Sequence, residues 1–108
     1  STIGQSFSEQ THTTGDTVTI TDTTTILYVD PTSTLASLTI TLPANPVNGQ
    51  EVKISFGGTL TGGTVVTTLS IVGNTGHTIL GGSNITFAEA SEGYIFKFQS
   101  STNLWRIF

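Results

Sequence analysis

The chain of 108 residues has no cysteine, no methionine, three prolines and only three basic residues, Lys53, Lys97 and Arg106. Each shortage excludes something. Without cysteine there is no disulfide frame and no thiolate metal centre. Three scattered cations within a net charge of −4 do not make the basic cluster that neutralises a phosphate backbone, so nucleic-acid binding is not expected. No apolar run approaches the roughly 20 residues that cross a bilayer, and no basic amphipathic helix is present to lie on one, so no membrane insertion is expected. The opening Ser1-Thr2-Ile3-Gly4 lacks the basic and apolar regions of a signal peptide and reads as a cut made in a longer chain.

Charge is scarce as well, at 9% of residues against roughly 25% in an average soluble domain. In its place stands threonine, about one residue in five. Threonine is β-branched and favours extended backbone without adding charge. A polar, uncharged composition also suits disordered tracts, but recurrent alternation of Val, Ile, Leu and Phe argues for order. A chain of this length makes one domain with one modest core.

The period of two is clearest in residues 38–56, where Leu38, Ile40 and Leu42 alternate with threonine and Val52, Ile54 and Phe56 alternate with Lys53 and Ser55. Pro43, Asn45, Pro46, Asn48 and Gly49 between them predict a braced loop that reverses the chain, a longer version of a hairpin. Strands are likewise expected over 16–21, 26–30, 64–72, 78–80, 94–99 and 104–108, with Ile85 and Phe87 facing inward between the last turns. Residues 1–15 read as a flexible lead or linker and residues 16–108 as a single β domain. Residues 31–37 read as a turn-rich connector and 88–93 as a turn. The fold class expected is all-β, an antiparallel sandwich or a jelly-roll-like barrel.

Three strands, 26–29, 64–72 and 104–108, carry apolar residues on both faces. A two-layer sandwich buries one face per strand, so the second face calls for a neighbour and self-association is expected.

Catalytic chemistry finds little to stand on, and no enzyme is expected. Ser83 and His77 are separated by turn residues, with no G-x-S-x-G elbow. His12 and His77 lack a second ligand at metal spacing. Asp16, Asp22 and Asp30 lack the calcium-loop pattern, and Glu89 and Glu92 share one turn without an aromatic sugar platform. No cofactor or metal is expected. Asn84-Ile85-Thr86 matches the glycosylation sequon, which matters only in a secretory pathway. Recognition is expected in loops, where Asn45, Asn48, Thr61, Asn74, His77 and Asn84 offer hydroxyl, amide and imidazole groups suited to sugar hydroxyls. At each position the turn itself is a sufficient reason for Asn and Gly. Tyr28, Phe96, Trp105 and Phe108 are the candidates for a core or subunit-interface role, with sugar stacking as the second reading of Trp105.

The succession T-L-P-x-x-P-x-x-G-Q-x-V-x-I over residues 41–54, a Gly-rich middle, G-Y-x-F-x-F over 93–98 and a closing W-R-I over 105–107 resembles the small trimeric β-domains of phage tail fibres and virion spikes. The resemblance extends over about residues 17–108, although no collagen-like, heptad or β-helical repeat accompanies it. It implies a homotrimer on the virion surface that attaches the particle to a host glycan or protein, or completes a fibre. A capsid decoration protein without a receptor and a monomeric carbohydrate-binding module of a secreted protein are the alternatives.

Overall fold

A computed structural model describes residues 7–10 (backbone only), 13–57 and 63–108. Ten strands are formed among them: β1 (Phe7–Gln10), β2 (Asp16–Thr19), β3 (Ile26–Val29), β4 (Leu35–Thr41), β5 (Glu51–Phe56), β6 (Thr64–Val72), β7 (Thr78–Ile79), β8 (Ala88–Glu89), β9 (Gly93–Gln99) and β10 (Leu104–Ile107). The one helical element among the described residues is a 3-10 turn, Gly82–Asn84. The strands form a six-stranded sheet in the order β1-β3-β5-β9-β10-β7 and a four-stranded sheet in the order β2-β4-β6-β8.

From β1 to β9 the chain changes sheet at every strand. Returning strands therefore meet their predecessors running the same way, and β1, β3 and β5 pair in parallel in one sheet while β2, β4 and β6 do so in the other. A parallel pair needs a crossover, and here the passage through the opposite sheet supplies it. The antiparallel architecture expected from the sequence is thus corrected to two mixed sheets. Alternation identifies the buried face of a strand and carries no information about the direction of its partner. Residues 38–56 illustrate the point: β4 and β5 lie in different sheets, and the Pro-braced loop is an arch between layers instead of a hairpin. The hairpin that does form, β9 to β10, has Arg106 opposite Lys97.

Parallel register stacks similar residues on one another. Val18, Ile40 and Ile71 are aligned across β2, β4 and β6, and Leu27 with Ile54 and Val29 with Phe56 across β3 and β5. All of these are buried, and each such side chain contributes about 1.5 to 3 kcal/mol of transfer free energy. The opposite parity of the four-stranded sheet aligns Thr17, Thr39 and Ser70, then Thr19, Thr41 and Val72. Within β4 both Leu35 and Leu38 are buried, as are Val66 and Leu69 in β6, although they differ in parity. Their pairings, Leu35 with Val66 and Leu38 with Leu69, keep one register. Strand β4 thus turns over its inward face between Leu35 and Leu38, while β6 buries both parities at Val65 and Val66.

Three further expectations change. Phe7–Gln10, within the expected flexible lead, pairs with β3 as an edge strand. Four residues with one large apolar side chain leave too short a pattern to read. Strand β4 begins at Leu35, inside the expected connector, and Ala88–Glu89 pairs with β6 inside the expected turn. Ile85 is buried as expected, but Phe87 is half exposed. Its segment follows the 3-10 turn and runs beside β6, held by the Leu69 amide donating to Thr86 O at 2.8 Å, so a strand's period does not govern it.

The antiparallel strands close the core with aromatics. Phe96, Phe98 and Trp105 are buried, with Phe98 and Trp105 ring centroids 5.1 Å apart.

Candidate functional site

Sheet topology gathers four connections at one end of the molecule. Strands β2, β4, β6 and β9 finish there and β3, β5, β7 and β10 begin there, which brings together residues 20–25, 42–50, 73–77 and 100–103. Asn45, Asn48, Asn74 and His77 all belong to this end. Asn84 does not; it lies in the 3-10 turn beside the edge of β6. Thr61 lies outside the described residues, as does His12.

The asparagines are engaged with the loops themselves. The Asn45 backbone amide and Nδ2 donate to the two carboxylate oxygens of Asp22, each at 3.0 Å. Those donors, with the Asn45 side chain foremost, lower the Asp22 carboxyl below its ordinary 3.8. Gln50 Nε2 donates to Asp22 O at 3.3 Å and Gln50 Oε1 accepts from the Val47 amide at 3.0 Å, so loops 20–25 and 42–50 are clamped together. Asn48 Oδ1 accepts from the Ser100 amide at 3.0 Å, and the Gly49 amide donates to Phe98 O at 2.7 Å. Asn74 Nδ2 donates to Leu42 O at 3.3 Å, while its Oδ1 accepts from the Thr75 amide at 2.8 Å. The turn that follows depends on glycine: a Cβ at Gly73 would fall 2.6 Å from His77 O, and Gly76 has φ +86°.

His77 packs its ring edge-on against Phe98, with centroids 4.9 Å apart. It also borders a groove of about 490 Å³ between the end of β6 and the β7 region, alongside Ile71, Val72, Ile79, Ser83 and Ile85. Ser83 and His77 share this groove, but among the described residues no Asp or Glu lines it to orient the imidazole for nucleophilic chemistry. Among the described residues no three of His, Asp and Glu gather as a metal site. No helix among them is long and apolar enough to cross a membrane.

The aromatic candidates divide sharply. Phe96 and Trp105 are fully buried, so both are core and the indole has no free face for a sugar. Tyr28 is half-buried on the outer face of the six-stranded sheet. Phe108 is 68% exposed, which corrects any core role: it follows Arg106 on the outward parity of β10. Burial also raises the Tyr94 hydroxyl above its ordinary 10.0, with the nearby Glu92 carboxylate adding to it.

Phe108 joins a cleft of about 320 Å³ that residue-by-residue reading missed, bordered by Asn48, Gly49, Lys97, Gln99 and Arg106. The outward parity of Lys97 and Arg106 was a partial signal. Their meeting with Asn48, from a remote loop, was not legible. Comparison with protein-family models, curated proteins and solved structures finds no match.

Proposed function

We propose that this chain is a surface-attachment domain of the virion fibre or spike type, self-associating as a homotrimer and recognising a host-surface ligand without catalysis. The observation that carries the reading is the outer face of the six-stranded sheet. There Ile26 and Tyr28 of β3 and, across β5, Ile95 of β9 stand half-buried on the parity opposite to the core. Apolar surface collected on one broad face suits burial against another copy. The resemblance of the sequence motifs to those of trimeric fibre-head domains adds to it. Self-packing through the Ile26 and Tyr28 half leaves the four-loop end and the β9–β10 margin free for a ligand.

Sedimentation or light scattering tests the assembly. A trimer mass that falls to a monomer in Tyr28→Asp supports it, whereas a wild-type monomer at micromolar concentration replaces it with a monomeric carbohydrate-binding module. Competition by the isolated domain against particle adsorption tests attachment. No competition at saturating dose favours a decoration role.

A further inference from the structure

The side chains of the cleft at the β9–β10 margin present mainly hydrogen-bond donors, because each side-chain amide oxygen there already accepts a hydrogen bond. Asn48 Oδ1 accepts from the Ser100 amide, which leaves the Nδ2 amino group. Gln99 Oε1 accepts from Arg106 Nη1 at 3.3 Å, which leaves Nε2. Arg106 keeps the other N–H groups of its guanidinium, and a guanidinium accepts nothing. Lys97 Nζ lies 3.7 Å from Glu51 Oε2, an exposed pair that holds the ammonium weakly. The same ammonium stands 4.9 Å from the Phe108 ring centroid.

Charge points the same way. Strands β5, β9 and β10 carry all three side-chain cations of the chain against one side-chain carboxylate, Glu51, whereas the rest of the chain has six side-chain carboxylates and no Lys or Arg. An acidic protein thus places its positive charge where the donors converge. Phe108 adds an exposed apolar wall, the surface against which the C–H face of a sugar ring packs.

We propose that this cleft binds an anionic sugar residue, a pyranose bearing a carboxylate. The carboxylate lies between Lys97 and Arg106, ring hydroxyls accept from Asn48 Nδ2 and Gln99 Nε2, and the ring packs on Phe108. The cleft volume suits one such ring. An acidic peptide would satisfy the cations and, through its carbonyls, the amide donors, but a run of carboxylate side chains offers no ring face to the aromatic wall. The proposal deepens the attachment reading by naming its ligand class. It occupies the opposite half of the sheet from Ile26 and Tyr28, with β5 between, so self-association and ligand binding do not compete.

The test titrates the isotope-labelled full chain with glucuronate, glucose and a hexaglutamate peptide, read by amide chemical shifts. Glucuronate is expected to shift Asn48, Gly49, Gln99 and Arg106, with affinity falling as salt rises. Glucuronate against Arg106→Gln is expected to bind about tenfold more weakly, the loss of one charge-assisted contact, and glucose, which lacks the carboxylate and so loses both, more weakly still. Lys97→Gln serves as a second, independent variant. Equal binding of glucose and glucuronate, shifts centred elsewhere, no shift with glucuronate, or stronger binding of hexaglutamate each overturns the proposal. The readout needs no host cell, so a domain that binds glucuronate yet fails to block adsorption defeats the attachment reading and leaves the site standing.

Discussion

The two outer faces of the molecule are built on the same strand pattern and look out on the solvent in opposite ways. On the four-stranded sheet the parallel register aligns Thr17, Thr39 and Ser70, then Thr19, Thr41 and the exposed Val72, rows mostly of hydroxyls with no charge. On the six-stranded sheet Glu51, Lys97 and Arg106 form one row, and Ile26, Lys53 and Ile95 the next. Behind both stands one continuous core. The difference teaches that the scaffold does not dictate the surface. A threonine ladder satisfies a strand's preference for β-branched side chains and offers little grip to a partner. Apolar side chains and cations gathered on the other face exceed what the fold needs.

Removing what supports each face gives the largest effects. Trp105 backs the six-stranded sheet, and Trp105→Ala should cost about 3 to 5 kcal/mol, a large part of the stability of so small a domain. Denaturant unfolding measures it, and an unchanged midpoint would show the indole to be dispensable. Ile40 backs the hydroxyl face between Val18 and Ile71, and Ile40→Ala should cost about 2 to 5 kcal/mol by the same measurement. A far smaller loss there than at Trp105 would mean that the wound sheet relaxes around a cavity while the aromatic one does not.

At the loop end, acid should act through Asp22. The folded Asp22 carboxyl lies below its ordinary 3.8. Its contribution is therefore complete above that value and disappears as pH falls through the depressed one. A carboxyl titration by NMR should place Asp22 below 3.8, and Asp22→Asn should remove its share of the acid dependence. An Asp22 titrating at or above the ordinary value would show that Asn45 does not hold it in solution.

The smallest effects compare the faces directly. Lys97→Gln should change stability by less than about 1 kcal/mol, since its pair with Glu51 is exposed. Thr17→Ala, on the hydroxyl face, should stay within about 0.5 kcal/mol and leave oligomeric mass unchanged. A Thr17 variant that altered the mass would move the interface to the wrong sheet.

Much of the strand map was legible because the signal is local. Val52, Ile54 and Phe56 face inward for the reason their spacing gives, and β6 spans the residues its pattern marked. Phe96 and Trp105 were legible as anchors on the same ground. The loop asparagines were singled out as candidate sugar-binding groups with turn chemistry as a sufficient reason for them, and contacts within the loops engage much of their hydrogen bonding: Asn45 is tied to Asp22 and Asn74 to Leu42. Phe87 and Phe108 were misread or left open because alternation was carried into a coil segment and to the last residue of the chain.

The sequence by itself determined which side of strands such as β5 and β9 faces the core, because that depends on side chains two residues apart. It also determined that only three cations exist and that two of them, on β9 and β10, face away from Trp105 and Phe96. Only the tertiary structure decided that successive strands change sheets and pair in parallel. A strand's backbone donors and acceptors serve either direction, and the choice rests on where each arch delivers the chain. The structure likewise decided that Asn48 meets Gln99, Arg106 and Phe108 around one cleft, since contact between residues so far apart in sequence depends on the packed sheets that bring them together.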